Sequence, residues 1–156
     1  SFNLLDVTLK AKDYNPYESL NCLLEMIKRC YGIIILAFGQ YYIEKGTSKY
    51  GANDKAGFFD AKEITIDQKW ITSPYCQIEG AIAFGNKIPI LILEQKDIKI
   101  EGILKMGDHA IHGPQFNIYD HESIENYFNR KDFVFSFNEW YKLVTDLYAF
   151  TNHLER

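Results

Sequence analysis

Ile33-Ile34-Ile35-Leu36-Ala37-Phe38 runs six apolar residues together with no polar residue between them. A strand with one face in water alternates apolar and polar side chains. A run without alternation is the pattern of a strand buried on both faces, in the middle of a parallel sheet covered by helices. A second run of this kind, Ile88-Pro89-Ile90-Leu91-Ile92-Leu93, follows further along. Before it, Ser73-Pro74 supplies a capping residue and a proline suited to the first helical position. The helix predicted from there passes through Ile78, Ile82 and Ala83 and stops at Gly85.

Upstream of the first run, Asn15-Pro16-Tyr17-Glu18 has the form of a capping box with proline at the first helical position. Leu20, Leu23, Leu24 and Ile27 then recur at helical spacing, the helix ends near Cys30, and Gly32 breaks it. Residues 2–9 read as a strand. Strand, helix, strand, loop, helix and strand in succession predict an α/β fold built on a parallel sheet flanked by helices.

Residues 39–70 interrupt this order as a long insertion before the second helix, broken by Gly46, Gly51 and Gly57. Insertions of this length in a compact domain are usually functional or mobile. Phe58, Phe59, Ile64 and Ile66 suggest a small hairpin within it. Beyond the second apolar run, 98–106 reads as strand or loop, 116–119 as a short strand and 121–128 as a helix. Phe133, Phe135 and Phe137 alternate as on a strand face. Residues 137–154 close the chain as an amphipathic helix with Trp140, Leu143, Val144, Leu147 and Phe150 or Thr151 on one side.

A chain of 156 residues fits one domain with a continuous core. Its net charge of -4 and singly scattered lysines exclude the basic stripe of a nucleic-acid binder. Cys22, Cys30 and Cys76 form no CxxC pair, so reduced thiols and a cytoplasmic setting are expected. No apolar run approaches the ~18 residues of a membrane span. The chain opens on a strand-like segment without a methionine, as a fragment or a processed product would. His109 and His112 have a spacing compatible with a metal, but no cysteine or further paired motif joins them, and a polar loop is the expectation.

Chemistry concentrates at the C-terminal ends of the strands, where open parallel sheets bind ligands. Two loops lie there: Phe38-Gly39-Gln40-Tyr41 after the first run, and the stretch from Thr72 to Cys76 opening the next helix. Gly39 allows close backbone approach. Gln40 offers a donor and an acceptor, while Tyr41, Trp70 and Tyr75 offer faces for a base. Glu79 stands among Ile78, Gly80, Ala81 and Ile82, where a carboxylate is partly buried and needs a partner or a function. One reading makes it a capping or salt-bridged glutamate favoured by the helix dipole. The other makes it a catalytic carboxylate.

Ser73-x-Tyr75-Cys76-x-x-Glu79 resembles the S-x-W-C-x-x-E segment of Toll/interleukin-1 receptor (TIR) domains, with Tyr75 where tryptophan is usual. The pattern Glu79-Gly80-x-x-Ala83-x-Gly85-x-x-x-Pro89 is similar to that of the related nucleoside 2-deoxyribosyltransferase-like fold. The resemblance covers residues 17–94. It implies a flavodoxin-like parallel sheet and, as in enzymatic TIR domains, cleavage of the nicotinamide–ribose bond of NAD. It further implies Glu79 as the catalytic carboxylate, with Phe38, Gly39, Gln40, Tyr41, Trp70, Ser73, Tyr75 and Cys76 toward the substrate. NAD enters as substrate rather than cofactor, and no metal is needed. Bacterial relatives of this kind act in antiphage defence, often as homo-oligomers or with an assembly partner. The chain lacks the family's R-D-x-x-P-G loop, has no counterpart of its first strand and helix, and carries a longer insertion before the motif. Two alternatives therefore stand beside the glycosidase: a non-catalytic module for nucleotide binding or oligomerisation, and a nucleoside 2-deoxyribosyltransferase.

Overall fold

The computed structural model describes residues 19–53 and 62–154. The strand expected at 2–9, the helix start at 15–18, and Phe58 and Phe59 lie outside them. In chain order the elements are α1 (Ser19–Lys28), β1 (Ile33–Ala37), β2 (Gly39–Ser48), β3 (Ile64–Thr72), α2 (Pro74–Gly85), β4 (Ile90–Glu94), β5 (Ile111–His112), α3 (His121–Asn126) and α4 (Lys131–Leu154). Short 3-10 turns occupy Gly102–Leu104 and Tyr127–Asn129.

β1, β4 and β5 form a parallel sheet in that order, with Ile33 opposite Ile90 and Ala37 opposite Glu94. Alternate side chains of β4 feed two cores, one on each face of the sheet. Ile90 and Ile92 join Ile35 and Ala37 beneath Leu23 and Ile27 of α1 and Cys76 and Ala83 of α2. Leu91 and Leu93 face the other way, onto Phe133, Trp140 and Val144 of α4. The Trp140 indole N–H donates to the Pro89 carbonyl, 3.1 Å away, which ties α4 to the entry of β4. Gly32 lies beneath the same helix, where a side chain would overlap Val144 and Trp140.

α2 forms as its sequence dictates. Ser73 is the N-cap, its hydroxyl oxygen accepting the Tyr75 N–H at 3.1 Å, and Pro74 follows. At the other end the Asn86 side chain donates to the Ile82 carbonyl at 2.8 Å, satisfying a terminal acceptor.

Four expectations change. Among the described residues the strand buried on both faces is β4, whereas β1 is an edge strand. Ile34 and Leu36 are 41% and 55% exposed, because α4 contacts β4 and β5 and leaves a groove beside them. The insertion is a long antiparallel hairpin, β2 against β3, rather than a small one. The third strand of the main sheet is β5, while Phe116 makes only a single bridge to Gln95. Phe133 and Phe135 belong to α4 instead of a strand. Phe133 and Phe137 are four residues apart and stack at 5.8 Å between ring centroids, a helical pairing that outweighs the alternation.

Gly80 shows how tightly α2 sits. A glycine inside a helix normally gives way to alanine with a gain of about 1 kcal/mol. Here a Cβ would overlap the branch of Ile103, on the turn that follows β4. Gly80→Ala is therefore expected to destabilise the protein by about 1–3 kcal/mol, read as a lower urea midpoint at unchanged slope.

Candidate functional site

β1, the hairpin and α2 meet at the C-terminal edge of the sheet. β1 passes almost directly into β2, and Gly39 pairs with Thr72, the last residue of β3. The register slips between Gly39 and Tyr41, so Gln40 is the extra residue of a β-bulge. Bulges twist a strand and re-aim its side chains, and they recur beside active sites. Gln40 is exposed, Phe38 is 48% exposed and Tyr41 63%.

Trp70 packs over Gly39, where an added Cβ would meet the indole. Its backbone also binds the chain after β4, the main-chain N–H donating to the Asp97 carbonyl at 3.2 Å and the main-chain carbonyl accepting from the Lys99 N–H at 2.8 Å. Cross-strand pairing sets Tyr42, not Tyr41, against Trp70, with ring centroids 5.0 Å apart. Tyr41 pairs opposite Ile71 and so takes the other side of the hairpin.

Thr72 leads into α2. Its hydroxyl donates to the Cys76 thiol at 3.3 Å, and that thiol reaches the Leu36 carbonyl at 3.8 Å. Cys76 is thus a buried clamp between β1, β3 and the first turn of α2. Burial pushes its thiol above the ordinary range, the Thr72 hydroxyl opposes that, and the nearby charge of Glu79 adds to it. Ser73 is engaged in its cap, and Tyr75 is 41% exposed on the turn beyond it.

Glu79 comes three residues after Cys76, past the first turn of α2, where the dipole is weak. It caps nothing, and among the described residues it has neither a hydrogen bond nor an ion pair. It is half-buried, and desolvation raises its carboxyl above the ordinary value. Capping and salt bridging therefore do not account for it among the described residues. Two surface grooves lie elsewhere, one floored by Ile34 and Leu36 and one on the hairpin beside Tyr42 and Gln68, and neither includes Glu79.

A second polar group occupies the ends of β4 and β5, where His112 lies on a strand rather than in the polar loop expected. Glu94 and Gln95 are buried polar residues that continue the apolar strand. The Glu94 carboxylate accepts from His112 Nδ1 at 3.1 Å and from the Gln115 side chain at 3.4 Å. His112 Nε2 is buried without a partner among the described residues. His109 donates from Nε2 to the Ile103 carbonyl at 2.9 Å. Among the described residues no three His, Cys, Asp or Glu side chains are grouped to hold a metal ion, and no helix is long and apolar enough to cross a membrane.

No protein-family model matches the chain, and no curated protein or solved structure matches it either.

The half-buried Glu79 carboxyl has a thermodynamic signature. A carboxyl whose value rises on folding makes the native state bind more protons than the unfolded chain, so stability falls as pH rises through that window. Glu79→Gln removes the charge and should raise the urea midpoint at neutral pH. The advantage should shrink as pH falls below the ordinary carboxylate range, where the wild-type side chain is protonated in both states.

Proposed function

We propose that this chain is a TIR-like α/β domain that cleaves the nicotinamide–ribose bond of NAD, with Glu79 as the catalytic carboxylate. The observation that carries the reading is a half-buried carboxylate held on α2 without a cationic partner among the described residues. Such a group suits a substrate that brings the positive charge itself. The parallel sheet flanked by helices is compatible with this reading and with other α/β folds.

The chemistry needs little beyond that carboxylate. Nicotinamide in NAD is cationic, so it departs with the glycosidic bonding pair and becomes neutral without a general acid. Positive charge then develops at the anomeric carbon of the ribose, where the Glu79 carboxylate stabilises it. Water adds to that carbon and loses a proton, giving ADP-ribose. Capture by the adenine end of the same molecule gives a cyclic product instead. Phe38, Gly39, Gln40 and Tyr41 would line one side of the substrate and Trp70 and Tyr75 another. Ser73 and Cys76 would act by fixing the first turn of α2. Work on NAD in antiphage defence, in the cytoplasm and through a homo-oligomer or an assembly partner, belongs to this proposal.

A second reading is a module that binds a nucleotide or assembles without turnover. The exposed apolar side chains of Ile34 and Leu36 favour it, since such a surface suits association.

The deciding experiment incubates concentrated protein with NAD and follows nicotinamide release. Turnover by the wild type should fall about 100- to 1,000-fold in Glu79→Gln, as expected when a transition-state charge partner is lost. Turnover that survives the substitution removes Glu79 from the mechanism. Calorimetric binding of NAD without nicotinamide release, equal in both proteins, establishes the second reading.

A further inference from the structure

Gln95 is the most deeply buried polar side chain of the protein's described part, 2% exposed at the point where β4 ends. Its backbone N–H donates to the Ala37 carbonyl at 2.8 Å and closes the ladder between β1 and β4. Its side-chain oxygen accepts the Gly39 N–H at 2.9 Å. It also forms the single bridge to Phe116, so three segments of chain converge on it.

The geometry explains why a side-chain acceptor is needed there. β1 delivers its last ladder acceptor, the Ala37 carbonyl, to Gln95, and the next inward-facing donor is the Gly39 N–H. β4 has ended, so no strand carbonyl receives that donor on this side. A carboxamide oxygen reaching across from Gln95 does so. The residue after Gly39 is the bulged Gln40, followed by Tyr41, and both are exposed. Trp70 packs over Gly39, where an added Cβ would meet its indole. Gly39 is therefore held by a buried acceptor and covered by an indole, immediately before the bulge at Gln40.

We propose that Gln95 is a positioning residue: its carboxamide, through the Gly39 N–H and the bulge at Gln40, sets the direction in which Gln40 and Tyr41 meet a substrate. Gln95 does not touch that substrate. The inference rests on the glycosidase reading for the substrate's identity, whereas the hold on Gly39 does not.

Three proteins test it: wild type, Gln95→Leu and Gln95→Glu. Gln95→Leu removes the acceptor at similar volume, and Gln95→Glu restores an acceptor oxygen at the same reach. Amide exchange followed by NMR should show Gly39 exchanging about tenfold faster in Gln95→Leu, with shifts confined to residues 38–41, and recovery in Gln95→Glu. The Ile35 amide, inside the β1 ladder, reports whether the sheet stays folded. With NAD as substrate, Gln95→Leu should raise KM about tenfold with a smaller change in kcat, and Gln95→Glu should bring KM back toward wild type. Unchanged Gly39 exchange in Gln95→Leu with the sheet intact overturns the proposal. So does an equal loss of kcat in both variants at unaltered KM. If wild type releases no nicotinamide, the glycosidase reading fails by itself, and the Gly39 and Gln40 amide signals alone decide whether Gln95 holds the loop.

Discussion

The parallel ladder between β1 and β4 sets the terms for everything else in this protein. β4 is buried along its whole length, so each of its side chains must belong to a core and each backbone group must find a strand. α1 and α2 cover one face and α4 the other because Ile90 and Ile92 point one way and Leu91 and Leu93 the other. When the strand ends, its backbone groups still need partners. The residues there turn polar within two positions, at Glu94 and Gln95, and both are engaged rather than solvated.

That polar end is also where the insertion joins the domain. A two-stranded hairpin alone is marginal in water. This one is anchored at its base by the Gly39–Gln95 bond, by Trp70 between Gly39 and the 97–99 chain, and by the Thr72–Cys76–Leu36 contacts. The helix bearing Glu79 starts at the same anchor. A substrate meeting Glu79 and the Gly39 loop would therefore rest on elements that share one set of buried hydrogen bonds.

Sequence patterns revealed the parts whose signal is local. The N-cap of α2, the buried Leu23 and Ile27 of α1 (though Leu20 of the expected stripe is exposed) and the uninterrupted runs of β1 and β4 follow from neighbouring residues alone. β2 was hidden because most of its side chains are exposed on both faces, leaving no apolar periodicity to read. β5 is only two residues long, too short for any pattern. The start of α4 was misleading because Phe133, Phe135 and Phe137 alternate, yet Phe135 is 67% exposed while Phe133 is buried. At the site, Glu79 stood out because a charge interrupts an apolar helix. Gln95, Thr72 and Tyr42 carried no such mark, since their roles depend on which strand ends meet in three dimensions.

The two tryptophans of the chain sit in different structural settings. Trp140 is buried on the sheet-facing side of α4 with its N–H bonded to Pro89, and Trp70 is half-buried at the base of the hairpin beside Tyr42. Indole emission shifts with solvent contact, so the protein carries two built-in optical probes, one for the sheet core and one for the hairpin joint. Opening of the joint would redden one component of the emission while the other stays blue, separating local motion at the site from loss of the fold.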